Sequence, residues 1–164
     1  MKHFTLFAAL SIAIATFTCG STLAYSQEKS SKDQQKAQQV QEKLDSKDFT
    51  IDVNYMIPMR GGNQNLSSPY SLTIKDSTVK SYLPYVGQAT NIPYGGGDGL
   101  HFEDEIKEYK DNGFQKDRRT IQFKVEHEGD VLEYKITVFD NGQADIFVNS
   151  VNRDSISFRG ELDF

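Results

Sequence analysis

From Phe49 onward the side chains alternate with a period of two, and this alternation constrains the fold more than any other feature. Phe49, Ile51, Val53, Tyr55 and Ile57 interleave with Thr50, Asp52, Asn54 and Met56. That is the pattern of a strand with one buried and one wetted face. Arg60-Gly61-Gly62-Asn63 then turns the chain, Tyr70, Leu72 and Ile74 begin a second strand, and Lys75-Asp76-Ser77 leads into a third at Val79, Ser81 and Leu83. Beyond a glycine-rich loop, Leu100 to Tyr109 reads as a fourth strand, closed by Asp111-Asn112-Gly113. Ile121, Phe123 and Val125 make a fifth. Past Glu128-Gly129-Asp130, a sixth follows at Leu132, Tyr134, Ile136 and Val138. Asp140-Asn141-Gly142 carries the sharpest hairpin signal, because Asn-Gly accepts the positive φ angles of a type I′ turn. Ala144, Ile146 and Val148 form a seventh strand, and Ile156, Phe158 and Leu162 an eighth. Eight strands joined without intervening helices imply an antiparallel meander, either a curved sheet or a small barrel.

The segment ahead of this meander has a different composition. Gln27 to Asp48 is dominated by Lys, Gln, Ser and Asp, and its apolar residues Ala37, Val40 and Leu44 fall at i, i+3 and i+7. That spacing puts them on one narrow face of a helix. Ser31 with Gln34 has the form of a capping box at its start. The expectation is an α+β, mainly β, chain in which residues 27–48 form a polar tether and amphipathic helix and residues 49–164 form the β domain.

Residues 1–26 have the three-part layout of an export leader. A short basic start at Met1-Lys2-His3 precedes an apolar run from Phe4 to Phe17, and small polar residues follow. Such a stretch is too short for a membrane span. Ala24 and Ser26 provide the small-x-small pattern for a cut before Gln27, which predicts a periplasmic or secreted protein. The alternative uses Cys19, the only cysteine, as a lipid-attachment point for an outer-membrane lipoprotein, although Phe17 is bulky for that chemistry. On either route the folded part holds no disulfide. Removal of the leader leaves 138 residues carrying 17 basic and 23 acidic side chains. One domain of that size has a real core. Its acidic surface excludes nucleic acid as a natural partner, and membrane contact is expected only through a lipid anchor.

The even spacing of strands is interrupted by a loop dense in Tyr, Pro and Gly. Leu83-Pro84-Tyr85 and Ile92-Pro93-Tyr94 flank a short connection, and Gly95-Gly96-Gly97-Asp98-Gly99 follows. No Lys completes a phosphate-binding pattern here. The glycines suit a wide turn, and Tyr82, Tyr85 and Tyr94 suit either packing over an open sheet end or contact with a sugar or protein surface. The candidate binding residues are therefore Tyr82, Tyr85, Tyr94, Gly95, Gly96 and Gly97. Four segments together carry a family likeness: Ser81-Tyr-Leu-Pro-Tyr-Val-Gly87, Pro93-Tyr-Gly-Gly-Gly-Asp-Gly-Leu-His-Phe102, Phe139-Asp-Asn-Gly-Gln-Ala144 and Arg153-Asp-Ser-Ile-Ser-Phe-Arg-Gly160. In that order they resemble the signature of domain-of-unknown-function family 4251, over about Asp48 to Leu162. The resemblance implies an exported protein of a Gram-negative bacterium and implies no activity.

Chemistry-bearing residues are sparse. His101 and Glu103 share a strand face at i, i+2, which is two ligands where a metal needs three or four. His127 lies between Glu126 and Glu128, where charge pairing at the surface is expected. No G-x-S-x-G elbow and no mature cysteine nucleophile exist. Arg153 and Arg159 are placed to anchor turns. The expected function is a non-enzymatic binding module of the envelope that needs no cofactor and has an unknown ligand or envelope protein as partner. The alternatives are a structural component of an envelope assembly, and a small hydrolase built on scattered carboxylates.

Overall fold

The computed structural model describes residues 21–90 and 99–164, and side chains from Ser31 onward. Among the described residues one helix, α1 (Ser21–Asp45), precedes nine strands: β1 (Asp48–Pro58), β2 (Gln64–Lys75), β3 (Thr78–Leu83), β4 (Leu100–Glu105), β5 (Lys107–Gln115), β6 (Arg118–His127), β7 (Asp130–Phe139), β8 (Gln143–Ser150) and β9 (Ile156–Leu162). They form one antiparallel sheet in the order β4-β3-β2-β1-β9-β8-β7-β6-β5, a nearly closed barrel. Among the described residues no helix is long and apolar enough to cross a membrane.

The ninth strand comes from a stretch expected to be one. Because every neighbouring pair is antiparallel, β4 and β5 run in the same direction with only Ile106 between them. The chain does not turn there; it changes partner. β4 pairs with β3, and β5 with β6. A change of neighbour without a reversal leaves no turn residue in the sequence, so periodicity merges the two halves. Asp104 already faces His127, bonding its Nδ1 at 2.7 Å, three residues before Lys107 pairs with Lys124. Phe102 stacks on the same imidazole at 4.6 Å. His127 thus lies at the barrel seam, and its Nε2 is also 4.0 Å from Glu128, one of the two glutamates that flank it.

Three local expectations are corrected. Asp111-Asn112-Gly113 lies inside β5 as a bulge, with Gly113 at φ 65°, and the reversal comes later, beside Lys116 at φ 63°. At Asp140-Asn141-Gly142 the hairpin forms with only Gly142 at positive φ, its amide bonding Phe139 O at 2.9 Å. The doubly positive type I′ geometry occurs instead at Glu128-Gly129, φ 50° and 79°, between the paired His127 and Asp130. In β1 the alternation slips. Met56 is buried, whereas Tyr55 and Ile57 are half-buried, because an extra residue at Asn54 shifts the register against β9.

Helix α1 starts at Ser21, so the box at Ser31 and Gln34 lies within it, and the stretch read as tether is helical. Ser21 to Ser30 contains neither Gly nor Pro to stop the helix. Val40 and Leu44 are fully buried and Ala37 partly so, as the stripe predicts. The helix ends at a left-handed Lys47, φ 53°. Arg119 of β6, itself buried, reaches both Asp45 at the helix end and Asp111 of β5, the latter through Nη2 at 2.5 Å. This guanidinium closes one barrel end against the helix and holds the Asp111 carboxyl below the usual range despite its desolvation.

The interior is filled by Ile, Leu, Val and Phe side chains from all around the sheet, with Tyr134 among them. Its ring stacks on Phe123 at 5.1 Å, and its hydroxyl shares a 3.3 Å hydrogen bond with Ser81. Burial pushes the Tyr134 phenol well above the usual tyrosine range, while the Ser81 bond and the Arg153 charge oppose the shift. In the unfolded chain such a phenol ionises near pH ~10, so above that pH the folded state holds the extra proton. Stability is therefore complete below pH ~10 and falls with rising pH, by up to about 1.4 kcal/mol per unit from this group. Urea unfolding between about pH 9 and 11 is expected to show that slope, and Tyr134→Phe to flatten it. A variant as steep as the parent would remove Tyr134 as the cause.

Candidate functional site

The barrel end away from α1 is where the loops gather. β8 delivers Ser150 there, β7 starts there with Asp130, and the segment after Leu83 returns alongside residues 150–155. Ala89 bridges Arg153, the Thr90 amide donates to Asn152 O at 2.8 Å, and the Asp154 amide to Gln88 O at 2.9 Å. Beneath this clasp lies a buried ion pair, Arg153 Nε to Asp130 Oδ2 at 3.2 Å, with side chains 9% and 7% exposed. The remaining carboxylate capacity is used by the Ser150 hydroxyl at 2.7 Å and the Asn152 amide at 3.1 Å. Arg153 Nη1 also donates to Gly99 O at 2.8 Å. A buried charge pair held by further hydrogen bonds acts chiefly to specify geometry. Here it fixes the loop end.

Tyr85 belongs to this clasp. Its hydroxyl donates to Gln88 O and Asp154 O, both at 3.1 Å, and the Arg153 guanidinium lies 5.8 Å from the ring centre. Burial raises its pKa, with Asp154 adding to the shift. Gly87 leaves room beside it, since a Cβ there would fall 2.6 Å from the Tyr85 hydroxyl and displace it. Tyr82 lies apart from the clasp. It projects outward from β3, 43% exposed, and stacks on His101 of β4 at 4.4 Å, with Tyr70 of β2 5.5 Å away. His101 Nε2 is shielded from water and has no partner among the described residues. Glu103 is engaged with Lys80 at 3.9 Å, and among the described residues no three metal-ligating side chains converge. Tyr94, Gly95, Gly96, Gly97 and Cys19 lie outside the described residues.

Sequence reasoning singled out the tyrosines and passed over Asp130 and the loop partners of Arg153. Ser150 and Asn152 sit close to Arg153 in sequence, yet Asp130 lies a strand pair away and reads as an ordinary turn residue. The apolar residues on the surrounding loops, Met59, Val86 and Val151, are 65%, 42% and 85% exposed. Arg60 bonds Asp154 at 3.3 Å and ties the β1–β2 loop to the same clasp. Arg153→Met is expected to cost about 3–5 kcal/mol, because it strands a buried carboxylate. The double variant Asp130→Ala/Arg153→Met should lose less than the sum of the singles by at least about 1 kcal/mol in urea denaturation. Strict additivity would show that the two charges do not act as a unit.

Residues 31–162 match the family model described as a domain of unknown function, DUF4251. The match takes in the second half of α1 as well as the barrel. The chain is also similar to a DUF4251 family protein from Bacteroides eggerthii known from its crystal structure. The TM-score is 0.58 at 14% identity, over 77% of this chain and 86% of that one. At that identity the likeness speaks for the fold alone. No curated protein matches the chain. With the family model spanning helix and barrel together, the chain belongs to the DUF4251 family.

Proposed function

We propose that this protein is an exported, non-enzymatic binding module that meets an envelope protein through the aromatic face of β3 and β4 and the clasped loops beside it. The observation that carries the reading is the outward Tyr82, 43% exposed and stacked on His101. Exposed rings held by a neighbour lose little conformational freedom on binding, and tyrosine is enriched in protein interfaces for that reason. Met59, Val86 and Val151 add apolar area on loops whose backbones are already fixed by Arg153, Asp130 and Asp154, so ordering costs are low. A filled interior, unlike a hollow barrel, leaves recognition to the outside.

Export rests on residues 1–26, and cleavage before Gln27 delivers the barrel to the periplasm or beyond. Intact-mass measurement of protein from its native host is expected to show a chain beginning at Gln27 without an acyl group. A lipid-modified Cys19 would replace this route with membrane anchoring. For the binding face, affinity capture from solubilised envelope, read by quantitative mass spectrometry, should recover a protein whose yield drops at least about tenfold with Tyr82→Ala or Val151→Ser. Melting temperatures of both variants should stay within about 2 °C of the parent, since neither side chain is core. Equal recovery by parent and variants would refute this face as the interface.

A further inference from the structure

On the outer wall, where β1, β9 and β8 run side by side, two irregularities coincide. Between the ladder pairs Val53–Gly160 and Tyr55–Arg159, β1 carries one residue more than β9. Asn54 and Tyr55 therefore both turn away from the core, between the buried Val53 and Met56. Next to the bulge, Gly160 pairs with Val53, and a Cβ there would lie 2.0 Å from the Asp52 carbonyl oxygen. No other residue permits so close an approach of the two backbones. The result is a groove of about 490 Å³, within the size range of small-ligand sites.

The chemistry of its walls is specific. Tyr55 and Phe139 supply aromatic surface, and Asn54, Asp145, Arg159 and Glu161 supply polar groups. Arg159 is paired with Asp145 across the β8–β9 ladder at 3.4 Å. The side chains of Asn54, Tyr55 and Glu161 have no hydrogen-bond partner among the described residues. Arg118, which lies over the Phe139 ring at 5.1 Å, is paired with Asp117. Both cations near the groove are thus already matched, and Glu161 adds an unmatched negative charge, which disfavours phosphates and carboxylates. The many polar groups disfavour a purely apolar ligand.

We propose that this groove is a saccharide-binding site that takes a neutral pyranose ring of a glycan. A pyranose has an apolar C–H face, which suits the Tyr55 ring, and a rim of hydroxyls that both donate and accept. The amide of Asn54 and the carboxylates of Glu161 and Asp145 match that rim. The bulge aims Tyr55 and Asn54 at the ligand. The site is separate from the Tyr82 face, so either can fail without the other.

The test is an amide NMR titration of the full chain with cellotetraose, maltotetraose, mannotetraose and chitotetraose, each to about 10 mM. At least one is expected to shift the amides of Asn54, Tyr55, Arg159 and Glu161, with a Kd of about 1 mM or tighter. Tyr55→Ala should weaken that binding roughly tenfold or more, whereas Tyr82→Ala leaves it unchanged. Glu161→Gln and Asn54→Ala, at exposed positions, give the same readout should the tyrosine variant fold poorly. The proposal is overturned if none of the four saccharides moves these amides, or if the shifts persist undiminished in the groove variants. A tetrapeptide that moves them when no saccharide does overturns it as well.

Discussion

Closure of this barrel depends on a single length of chain that serves two neighbours. β4 and β5 continue one another through Ile106, whose amide still donates to Ser77 O at 2.7 Å as the strand leaves β3. Two residues later Glu108 takes a left-handed φ of 51°, and from Lys107 the ladder belongs to β6. Each half alone would leave a sheet edge open over the hydrophobic interior. Joined, they bring Phe102 and Asp104 against His127 and shut the gap where backbone hydrogen bonds are missing. The exposed side of β5 is then a short edge interrupted by two register shifts and studded with Lys107, Glu108 and Lys110, which discourages pairing with another chain.

The two barrel ends are closed by the same device with different consequences. At one end the Arg119 guanidinium joins Asp111 to Asp45 and binds helix α1 to the wall. At the other, Arg153 and Asp130 bind loop to loop. In each case a largely buried arginine meets a carboxylate and lies within 6 Å of an aromatic ring, Phe114 for Arg119 and Tyr85 for Arg153. Such pairs contribute more to uniqueness than to net stability, because desolvation offsets much of the attraction. They decide which end accepts the helix and which presents loops, a distinction that uniform apolar packing would not enforce.

Much of this was legible in the chain because alternation reports one-sided burial directly. The strands at Phe49, Val79, Ile121, Leu132, Ala144 and Ile156 and the Val40–Leu44 stripe follow from it. What remained hidden were events that leave the alternation unbroken or break it by one. Ile106 changes partners without a turn, so eight strands were expected where there are nine. Asn54 inserts one residue, and its only trace was apolar Met56 at a position that strict alternation calls wet. Turn geometry was misplaced because the pull of Asn-Gly toward type I′ was outweighed at Asn141-Gly142, whereas the two-residue connection between His127 and Asp130 demands that twist. At the candidate site, composition marked the tyrosines but did not distinguish Tyr82, which faces outward, from Tyr85, which is consumed by the clasp. That difference depends on Asp154, which lies far away along the chain.

The bulge at Asn54 and the glycine at 160 are better understood together than apart. An extra residue in a strand locally disrupts its ladder, and a glycine in a strand interior forfeits packing and rigidity. Either alone is a defect. Here the extra residue of β1 shifts its register against β9, and next to it the missing Cβ of Gly160 admits the Asp52 carbonyl that would otherwise collide. The pair preserves the buried sequence of Val53 and Met56 on the inside while it sets Asn54 and Tyr55 side by side on the outside. An uninterrupted strand places only alternate side chains on a given face and could not present these two neighbours together. The irregularity coincides with a recess lined by both aromatic and hydrogen-bonding side chains, so a sheet that keeps its interior filled still has a concave surface on its outer wall.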